Sequence, residues 1–286
     1  MAAPGRDHRS PDGPSGLTVA EALAGAGLDR LDAELLLADV LGRSRTWLFA
    51  HPDAALPERE KGRFEALLAQ RRQGVPVAHL VGRKAFWNQN LRVSPDTLIP
   101  RPETELLVEL ALDAIPAAAP ARVLDLGTGT GAIALAIASE RPQAWILATD
   151  RDPGAIQLAR RNARLHRLDN VRFLCGDWFD PLRPTGFDLV VSNPPYLAAD
   201  DPHLERGDLR FEPRSALVAA EAGLADLRRL AEQSARYLRP GGTLIVEHGW
   251  NQQESVLALL VHNASFEPSG HRDLAGRPRA VAARLR

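Results

Sequence analysis

Short apolar runs alternate with amphipathic segments over residues 121–286 of the chain. The runs have the length of buried strands, and the segments between them have helical periodicity. Predicted strands lie near residues 122–126, 144–149, 171–175, 187–192 and 243–247, and predicted helices near 131–140, 153–166, 223–238 and 252–262. Strict alternation of strand and helix is typical of the α/β class, with a doubly wound, mainly parallel sheet and helices on both faces. Residues 265–286 are predicted to add a closing hairpin, with 280–283 in its second strand.

The first part of the chain has a helical pattern throughout, which predicts a small N-terminal helical domain over residues 17–74. Thr18 and Glu21 have the spacing of a capping box, and Gly42 follows a broad apolar stripe as a helix C-cap would. Residues 1–16 are rich in Pro, Gly and Ser and lack an apolar segment. They therefore predict a disordered tail, not a signal peptide.

Between the two regions the periodicity shortens, which predicts a β-hairpin linker over residues 75–100. Its strands are predicted at His79-Leu80-Val81-Gly82 and Leu91-Arg92-Val93, with Trp87-Asn88-Gln89-Asn90 joining them. The remaining residues, 101–286, then form the α/β domain.

Charge and cysteine content argue against several classes of protein. The 35 basic and 36 acidic residues give a net charge of −1, whereas a protein whose main substrate is nucleic acid usually has a basic excess. The single cysteine, Cys175, allows no internal disulfide and no thiolate metal cluster, and its apolar neighbours predict a core thiol. No apolar run approaches the roughly 18 residues of a membrane helix. We expect a cytoplasmic, soluble protein, monomeric, with no metal, membrane or direct nucleic-acid partner.

A glycine turn follows the first predicted strand, Val123-Leu124-Asp125-Leu126, and leads into a predicted helix. The turn consists of Gly127-Thr128-Gly129-Thr130-Gly131. Glycine lets a ligand approach the backbone, and the helix N-terminus offers free N–H groups. Asp150, at the end of the second strand, could accept hydrogen bonds from ribose hydroxyls. After the third strand, Asp177-Trp178 could read and stack on an adenine.

The glycine turn alone leaves its ligand open. It also fits the dinucleotide pattern G-x-G-x-x-A through Ala132, and some such turns have only a structural role. The chain shows no hydride-transfer machinery, whereas a second motif calls for a group donor. S-adenosyl-L-methionine fits best, with its adenosine on Asp150 and Trp178 and its methionine end near residues 127–131.

That second motif, Asn193-Pro194-Pro195-Tyr196, stands where the fourth predicted strand ends. Asn193 offers a side-chain carbonyl, and Pro194 offers a main-chain carbonyl with no competing N–H. Two acceptors at fixed spacing can grip both hydrogens of an –NH2 group, and Tyr196 adds a flat face for stacking. The motif therefore indicates a clamp for a planar amino group. The alternative is an ordinary turn between a strand and a loop.

Four segments together resemble the bacterial and organellar release-factor glutamine methyltransferases. The segments are Ile99-Pro100-Arg101-Pro102-Glu103-Thr104-Glu105, Asp125-Leu126-Gly127-Thr128-Gly129-Thr130-Gly131, Asn193-Pro194-Pro195-Tyr196 and Phe211-Glu212-Pro213. Those enzymes N5-methylate the glutamine of the Gly-Gly-Gln motif in class I peptide-chain release factors. The resemblance extends from about Leu17 to the C-terminus, and its most specific part is the arginine-proline-glutamate segment. Trp87-Asn88 departs from the family, which has a glycine after Phe86.

The resemblance implies a class I S-adenosylmethionine-dependent methyltransferase domain with a Rossmann-like sheet. It implies that residues 127–131, Asp150, Trp178 and Asn193 contact the cofactor, and that Asn193-Pro194-Pro195-Tyr196 binds the glutamine. In the mechanism we expect, the catalytic residues are Asn193, Pro194 and Tyr196. The first two accept the amide hydrogens, and Tyr196 stacks on the amide plane. The N-terminal helical domain is expected to contact the release factor.

Three other functions stay open on the sequence alone. A related enzyme methylates glutamine in a ribosomal protein. An adenine-N6 nucleic-acid methyltransferase would use the same clamp on a flipped base. A protein that binds the cofactor without catalysis would show no methyl transfer at all.

The other aromatic and histidine side chains have plainer interpretations. Trp47, Trp87, Trp145 and Trp250 are predicted to be packing residues. His203 is expected in a surface loop, and His248 is expected to be a structural histidine with satisfied hydrogen bonds. Phe211-Glu212-Pro213 is expected to shape the loop beside the clamp.

Overall fold

The computed structural model describes residues 16–118, 120–262 and 265–286. The chain divides into two compact units between Val81 and Gly82. Apart from Gly16, the predicted tail lies outside the described residues. Among the described residues, no helix is both long enough and apolar enough to cross a bilayer. The same part of the chain contains no group of three His, Cys, Asp or Glu side chains suited to a metal ion.

The N-terminal unit is helical. Its helices are α1 (Val19–Ala24), α2 (Arg30–Leu41), α3 (Arg45–Ala50), α4 (Glu58–Arg72) and α5 (Val77–Val81). The predicted capping box is confirmed, because Thr18 Oγ1 accepts the Glu21 N–H at 3.3 Å while the Glu21 carboxylate accepts the Thr18 N–H at 2.8 Å. Gly42 ends α2 in the left-handed conformation, with φ of 62°, as predicted. Leu36, Leu37 and Phe64 are the largest fully buried side chains of this unit.

The prediction of a strand at His79-Leu80-Val81-Gly82 is wrong, because Val77–Val81 forms helix α5. A run as short as four residues fits a helix or a strand equally well, and here packing against α2 and α4 decides between them. The hairpin strands are β1 (Arg83–Phe86) and β2 (Gln89–Arg92). Its turn is therefore only two residues long, Trp87 and Asn88, and Trp87 takes φ of 53°.

A seven-stranded sheet forms the centre of the C-terminal unit. Its strands are β3 (Arg122–Leu126), β4 (Trp145–Asp150), β5 (Val171–Cys175), β6 (Phe187–Ser192), β7 (Leu238–Glu247), β8 (Phe266–Arg272) and β9 (Pro278–Leu285). Their order is β5-β4-β3-β6-β7-β9-β8. The first five strands in that order are parallel, and β9 and β8 complete the sheet in antiparallel pairing. The predicted mainly parallel sheet and closing hairpin are confirmed.

Helices cover both faces of this sheet. They are α6 (Glu105–Ala114), α7 (Ala132–Glu140), α8 (Pro153–Leu165), α9 (Ala225–Gln233) and α10 (Gln253–His262). Side chains alternate along a strand, so Val123 of β3 joins the core beneath α6 and α7 while Leu124 joins the core beneath α9 and α10. The helix predicted at 223–238 is shorter, because Gly223 at its start has a positive φ of 89° and residues Ser234–Arg236 form a 3-10 turn.

Two predictions about buried side chains are wrong. Cys175 is exposed, because β5 is the edge strand of the sheet and its C-terminal end is open to solvent. Trp250, predicted to be a packing residue, is 59% exposed, whereas Trp145 packs as predicted, because its ring stacks on the buried Phe187 ring with centroids 6.5 Å apart. Trp47 and Trp87 do pack, partly buried, against the cores of their units.

Candidate active site

The carboxyl ends of four parallel strands bring the predicted motifs to one edge of the sheet. Strand β3 leads into residues 127–131, β4 ends at Asp150, and β6 leads into Asn193. Strand β7, beside β6, ends at Glu247. The order of the strands reverses between β3 and β6, and ligands of open α/β sheets bind at such a switch point.

The glycine turn adopts a backbone conformation that requires glycine at three positions. Gly127, Gly129 and Gly131 have φ of 71°, 55° and 87°. The turn is held to β4 by the Thr128 N–H, which donates to the Thr149 carbonyl at 2.8 Å. A Cβ on Gly131 would lie 3.2 Å from Ala159, so this glycine also allows α7 to pack against α8.

Two carboxylates support the turn from beneath. Asp150 accepts the Gly129 N–H at 2.9 Å through Oδ2 and the Asp152 N–H at 2.9 Å through Oδ1. Asp125 is fully buried and accepts the Thr128 hydroxyl at 2.6 Å. Burial raises the pKa of Asp125 to about 7, and burial also raises the pKa of Asp150. Among the described residues, Asp125 Oδ1 has no hydrogen-bond donor.

A cavity of about 260 Å³ opens above the turn. It is bordered by the glycine turn, Asp150, Trp178 and Asn193. Trp178 is nearly buried, and its ring would lie 3.6 Å from a Cβ on Gly127, so the backbone there approaches an aromatic face closely. The ring is fixed by a 3.1 Å hydrogen bond from Nε1 to Asp226. A flat aromatic wall, a carboxylate at a strand end and a helix N-terminus suit an adenosyl ligand.

Asp177 also borders this cavity, as predicted for an acid that reads adenine, but its carboxylate pairs with Arg229 at 2.5 Å. The same guanidinium reaches Asp180 at 2.8 Å. Arg229 therefore holds the segment that carries Asp177 and Trp178 against α9.

The amide of Asn193 is oriented by a side chain distant in sequence. Asn193 Nδ2 donates to Thr104 Oγ1 at 3.1 Å, and Thr104 Oγ1 donates to Glu247 Oε2 at 2.7 Å. Since the amide nitrogen faces Thr104, Oδ1 faces away from it, and no described residue donates a hydrogen bond to Oδ1. The Tyr196 hydroxyl donates to Glu247 Oε1 at 3.1 Å. One carboxylate thus holds both ends of the predicted clamp.

The arginine-proline-glutamate segment packs beside the clamp. Residues Pro102–Thr104 form a short 3-10 turn before α6, which directs Thr104 toward Asn193. Arg101 is ion-paired with Glu212, and Glu212 also accepts the Ile99 N–H at 3.4 Å. The predicted role of Phe211-Glu212-Pro213 in shaping the loop is consistent with these bonds, because Glu212 is buried and fastens the segment before Arg101.

A second cavity, of about 990 Å³, adjoins the first, and Asn193 borders both. Pro194, Tyr196 and the exposed Trp250 line it. The clamp therefore stands at the junction between a small cavity with an aromatic wall and a wide groove. A groove of this size could admit a segment of another chain.

The histidines take different places. His203 is in an exposed turn, as predicted, and its Nδ1 lies 2.7 Å from Asp201. His248 is buried, with Nδ1 2.8 Å from the Gly249 carbonyl. The prediction of full satisfaction is wrong, because Nε2 of His248 has no partner among the described residues.

Comparison with known proteins identifies the family to which the chain is similar. Residues 119–271 match the family described as "Methyltransferase domain", and residues 18–82 match "PrmC N-terminal domain". The release factor glutamine methyltransferase of Xylella fastidiosa (strain 9a5c) is 50% identical over 257 residues, which cover 90% of this chain and 94% of that protein. The chain belongs to the release factor glutamine methyltransferase family.

Further relatives agree with that assignment. The family member from Escherichia coli (strain K12) is 49% identical over 255 residues, covering 89% of this chain and 92% of the relative. A crystal structure of a methyltransferase from Pyrococcus furiosus matches with a TM-score of 0.53 at 17% identity, covering 77% of this chain and 96% of that chain. The second likeness shows the fold alone. The class I methyltransferase fold predicted from the sequence is thereby confirmed.

Sequence reasoning missed two residues of the site, Glu247 and Trp250, and it placed Thr104 near the cofactor only as part of the segment 101–105, without a contact of its own. Thr104 and Glu247 are 143 positions apart, so no local pattern relates them. The signal available was Glu247 itself, an acidic residue at the end of an apolar strand, where burial demands a partner. Trp250 follows the same strand, and its residue type alone predicts only a packing role.

Replacing Asp150 with asparagine is expected to weaken S-adenosylmethionine binding about 10-fold. One of the two backbone N–H groups that Asp150 accepts would then face an –NH2 group, so the glycine turn would lose a hydrogen bond. Isothermal titration calorimetry measures the affinity. Asp113→Asn, on the exposed side of α6, is the control and should leave the affinity unchanged. Equal affinities for the two variants would contradict a cofactor-binding role for Asp150.

Proposed function

We propose that the protein transfers a methyl group from S-adenosyl-L-methionine to the side-chain amide nitrogen (N5) of the glutamine in the Gly-Gly-Gln motif of class I peptide-chain release factors. The observation that carries the proposal is the hydrogen bond from Asn193 Nδ2 to Thr104, which leaves Oδ1 available at the junction of the two cavities. Membership of the family supplies the substrate class. The geometry supplies the reason that an amide is a suitable acceptor.

In this proposal the smaller cavity binds the cofactor. The glycine turn of residues 127–131, Asp150 and Trp178 would hold its adenosyl part, and Asn193 would lie near the methyl group. S-adenosylmethionine supplies an electrophilic methyl group on a sulfonium ion. The open backbone at Gly129, where an added Cβ would meet nothing within 4 Å, leaves room for a ligand above the turn.

The residues of the clamp would orient the substrate amide. A carboxamide nitrogen is a weak nucleophile because its lone pair is delocalised into the carbonyl group. Asn193 Oδ1 and the Pro194 carbonyl would each accept one N–H, and the Tyr196 ring would lie on the amide plane. Orientation of this kind can lower a barrier by about 7–11 kcal/mol in favourable cases, so no strong base is required.

The direct test is methyl transfer to a purified class I release factor, followed by tandem mass spectrometry of the Gly-Gly-Gln peptide. A single methyl group on the glutamine side chain is the expected product. Methylation of a ribosomal-protein glutamine or of adenine, with the release factor untouched, would contradict the proposal. A release factor with glutamine replaced by alanine in the motif is the control.

We also propose that the N-terminal helical unit recognises the release factor. It has a large exposed aromatic side chain, Phe49, which is 60% exposed. Exposed aromatic residues are common energetic centres of protein interfaces. Phe49→Ser is expected to raise KM for the full-length release factor about 5-fold while leaving KM for a short Gly-Gly-Gln peptide unchanged.

The matched control for this variant is Val261→Ser on α10, where the side chain is 63% exposed. It should change neither KM. If Phe49→Ser raised KM equally for the protein and the peptide, the helical unit would not be the recognition element.

A further inference from the structure

Glu247 is a fully buried carboxylate behind the clamp, at the end of β7. Its two oxygens accept hydrogen bonds from one residue of the clamp, Tyr196, and from Thr104, the residue that holds Asn193. Oε2 accepts the Thr104 hydroxyl at 2.7 Å, and Oε1 accepts the Tyr196 hydroxyl at 3.1 Å. Glu247 lines the wide groove's wall, yet its hydrogen bonds are to these two side chains and not to Asn193 itself.

The donors and acceptors of the hydrogen bonds that link Glu247 to Asn193 through Thr104 follow from counting protons. An ionised carboxylate only accepts hydrogen bonds, so Thr104 must donate its single hydroxyl proton to Glu247. Thr104 Oγ1 then has only lone pairs to offer to Asn193. The amide must therefore present its –NH2 group to Thr104, which turns its oxygen away.

We propose that Glu247 is a positioning residue that fixes, through Thr104, which atom of the Asn193 amide faces the substrate. This inference rests on the proposed function, because only an acceptor at that place binds the hydrogens of a glutamine amide. Glu247 takes no part in the chemical step. Its effect is to keep Asn193 Oδ1, and not Nδ2, available for the substrate.

Protonation of Glu247 would reverse this arrangement. A proton on Oε2 would be donated to Thr104 Oγ1, and the Thr104 hydroxyl would then need an acceptor. The Asn193 amide could supply one only by turning its oxygen toward Thr104. Its –NH2 group would then face the groove, where it cannot accept a hydrogen bond from the substrate.

The burial of Glu247 brings its protonation into the neutral pH range. Burial raises the pKa of Glu247 to about 7, against the lowering effects of the Thr104 hydroxyl and the Arg279 charge. The groups that face it are Tyr196, Arg279 from β9 and Glu103 from the turn before α6. Burial lowers the pKa of the neighbouring His248, so that ring is neutral in the same range. Burial and the Glu247 charge raise the pKa of Tyr196, so its hydroxyl stays a donor.

The test compares Glu247→Gln, Thr104→Val and Thr104→Ser with the wild type on full-length release factor. For the wild type, kcat is expected to increase as the pH rises through about 7, where Glu247 ionises. Glu247→Gln should lower kcat about 10-fold above that pH and remove this dependence, since glutamine does not titrate. Thr104→Val, which keeps the shape but removes the hydroxyl, should lower kcat by a similar factor. Thr104→Ser should recover most of it.

Measurements other than kcat distinguish a positioning role of Glu247 from a purely structural one. The cofactor affinity and the KM for the release factor should stay within about 3-fold of wild type in every variant. NMR titration of the side-chain carboxyl carbons in the cofactor-free protein should show two groups near neutrality, Asp125 and Glu247, and only the Glu247 signal should be missing from Glu247→Gln. If Glu247→Gln does not fold, the two Thr104 variants decide the question by themselves.

The outcomes have distinct meanings. Wild-type kcat in Thr104→Val, or a pH profile of Glu247→Gln that matches the wild type, would overturn the positioning role while leaving the proposed function intact. A loss confined to cofactor affinity would also overturn it. Absence of methyl transfer by the wild type in the same assay would be the failure of the proposed function.

Discussion

Replacing Asn193 with alanine is expected to lower kcat for glutamine methylation by about 10²–10³-fold. The change removes one of the two acceptors proposed to orient the amide, and it leaves the other, the Pro194 carbonyl, in place. It also removes the hydrogen bond to Thr104, whose oxygen lies 3.1 Å from Asn193 Nδ2. The glycine turn and Asp150 are untouched, so the affinity for S-adenosylmethionine should fall much less than kcat, by about 10-fold at most, although Asn193 borders the cofactor cavity. Single-turnover kinetics and calorimetry measure the two quantities.

Asn193→Asp is the matched comparison for this variant. Aspartate keeps the size of the side chain and an outward acceptor oxygen, but its inner oxygen would face the lone pairs of Thr104. We expect an intermediate loss of kcat, about 10-fold. Alanine and aspartate variants that both turn over at close to the wild-type rate, with the cofactor bound, would show that Asn193 does not orient the substrate.

Gly223→Ala is expected to destabilise the C-terminal unit by about 2–4 kcal/mol and to abolish most activity. Gly223 has φ of 89°, and a Cβ there would lie 2.8 Å from the Tyr196 carbonyl carbon, with the carbonyl oxygen closer still. The contact is with backbone, so it cannot be relieved by a change of rotamer. The Tyr196 carbonyl is further held by Gln252 Nε2 at 3.0 Å. Accommodating a methyl group would therefore displace Tyr196 from Glu247.

The control for Gly223 is Gly276→Ala, in the turn between β8 and β9. Gly276 also has a positive φ, 75°, but a Cβ there would meet nothing within 4 Å. That variant should cost only the strain of the backbone conformation, about 1 kcal/mol, with kcat unchanged. Urea unfolding followed by circular dichroism gives both free energies of unfolding. Equal costs at the two positions would mean that contact with Tyr196 contributes nothing.

The sheet and the ends of its strands were predictable because each depends on local sequence. An apolar run such as Val123-Leu124 predicts a strand whatever the position of that strand within the sheet. The positive φ angles at residues 127, 129 and 131 require glycine there. The clamp motif was predictable for the same reason, because Asn193 stands directly after β6. Its position relative to the glycine turn follows from the parallel order of the strands.

Contacts between distant parts of the chain were not predictable in this way. The bond between Thr104 and Glu247 depends on α6 and β7 lying together, which no pattern within either segment records. The local pattern also gave a wrong prediction at Val77–Val81. The apolar residues there predict a strand, but packing against α2 and α4 stabilises a helix. At Cys175 the pattern was correct for a strand, but a strand at the edge of a sheet leaves part of its apolar surface in water.

The exposed thiol of Cys175 has a practical consequence for binding studies. It is the only cysteine in the sequence, and it stands directly before Gly176, which borders the smaller cavity. A maleimide fluorophore would therefore attach at a single site of this chain, beside the residues proposed to hold adenosine. Titration of the labelled protein would report ligand binding as a change in emission, without any engineered substitution.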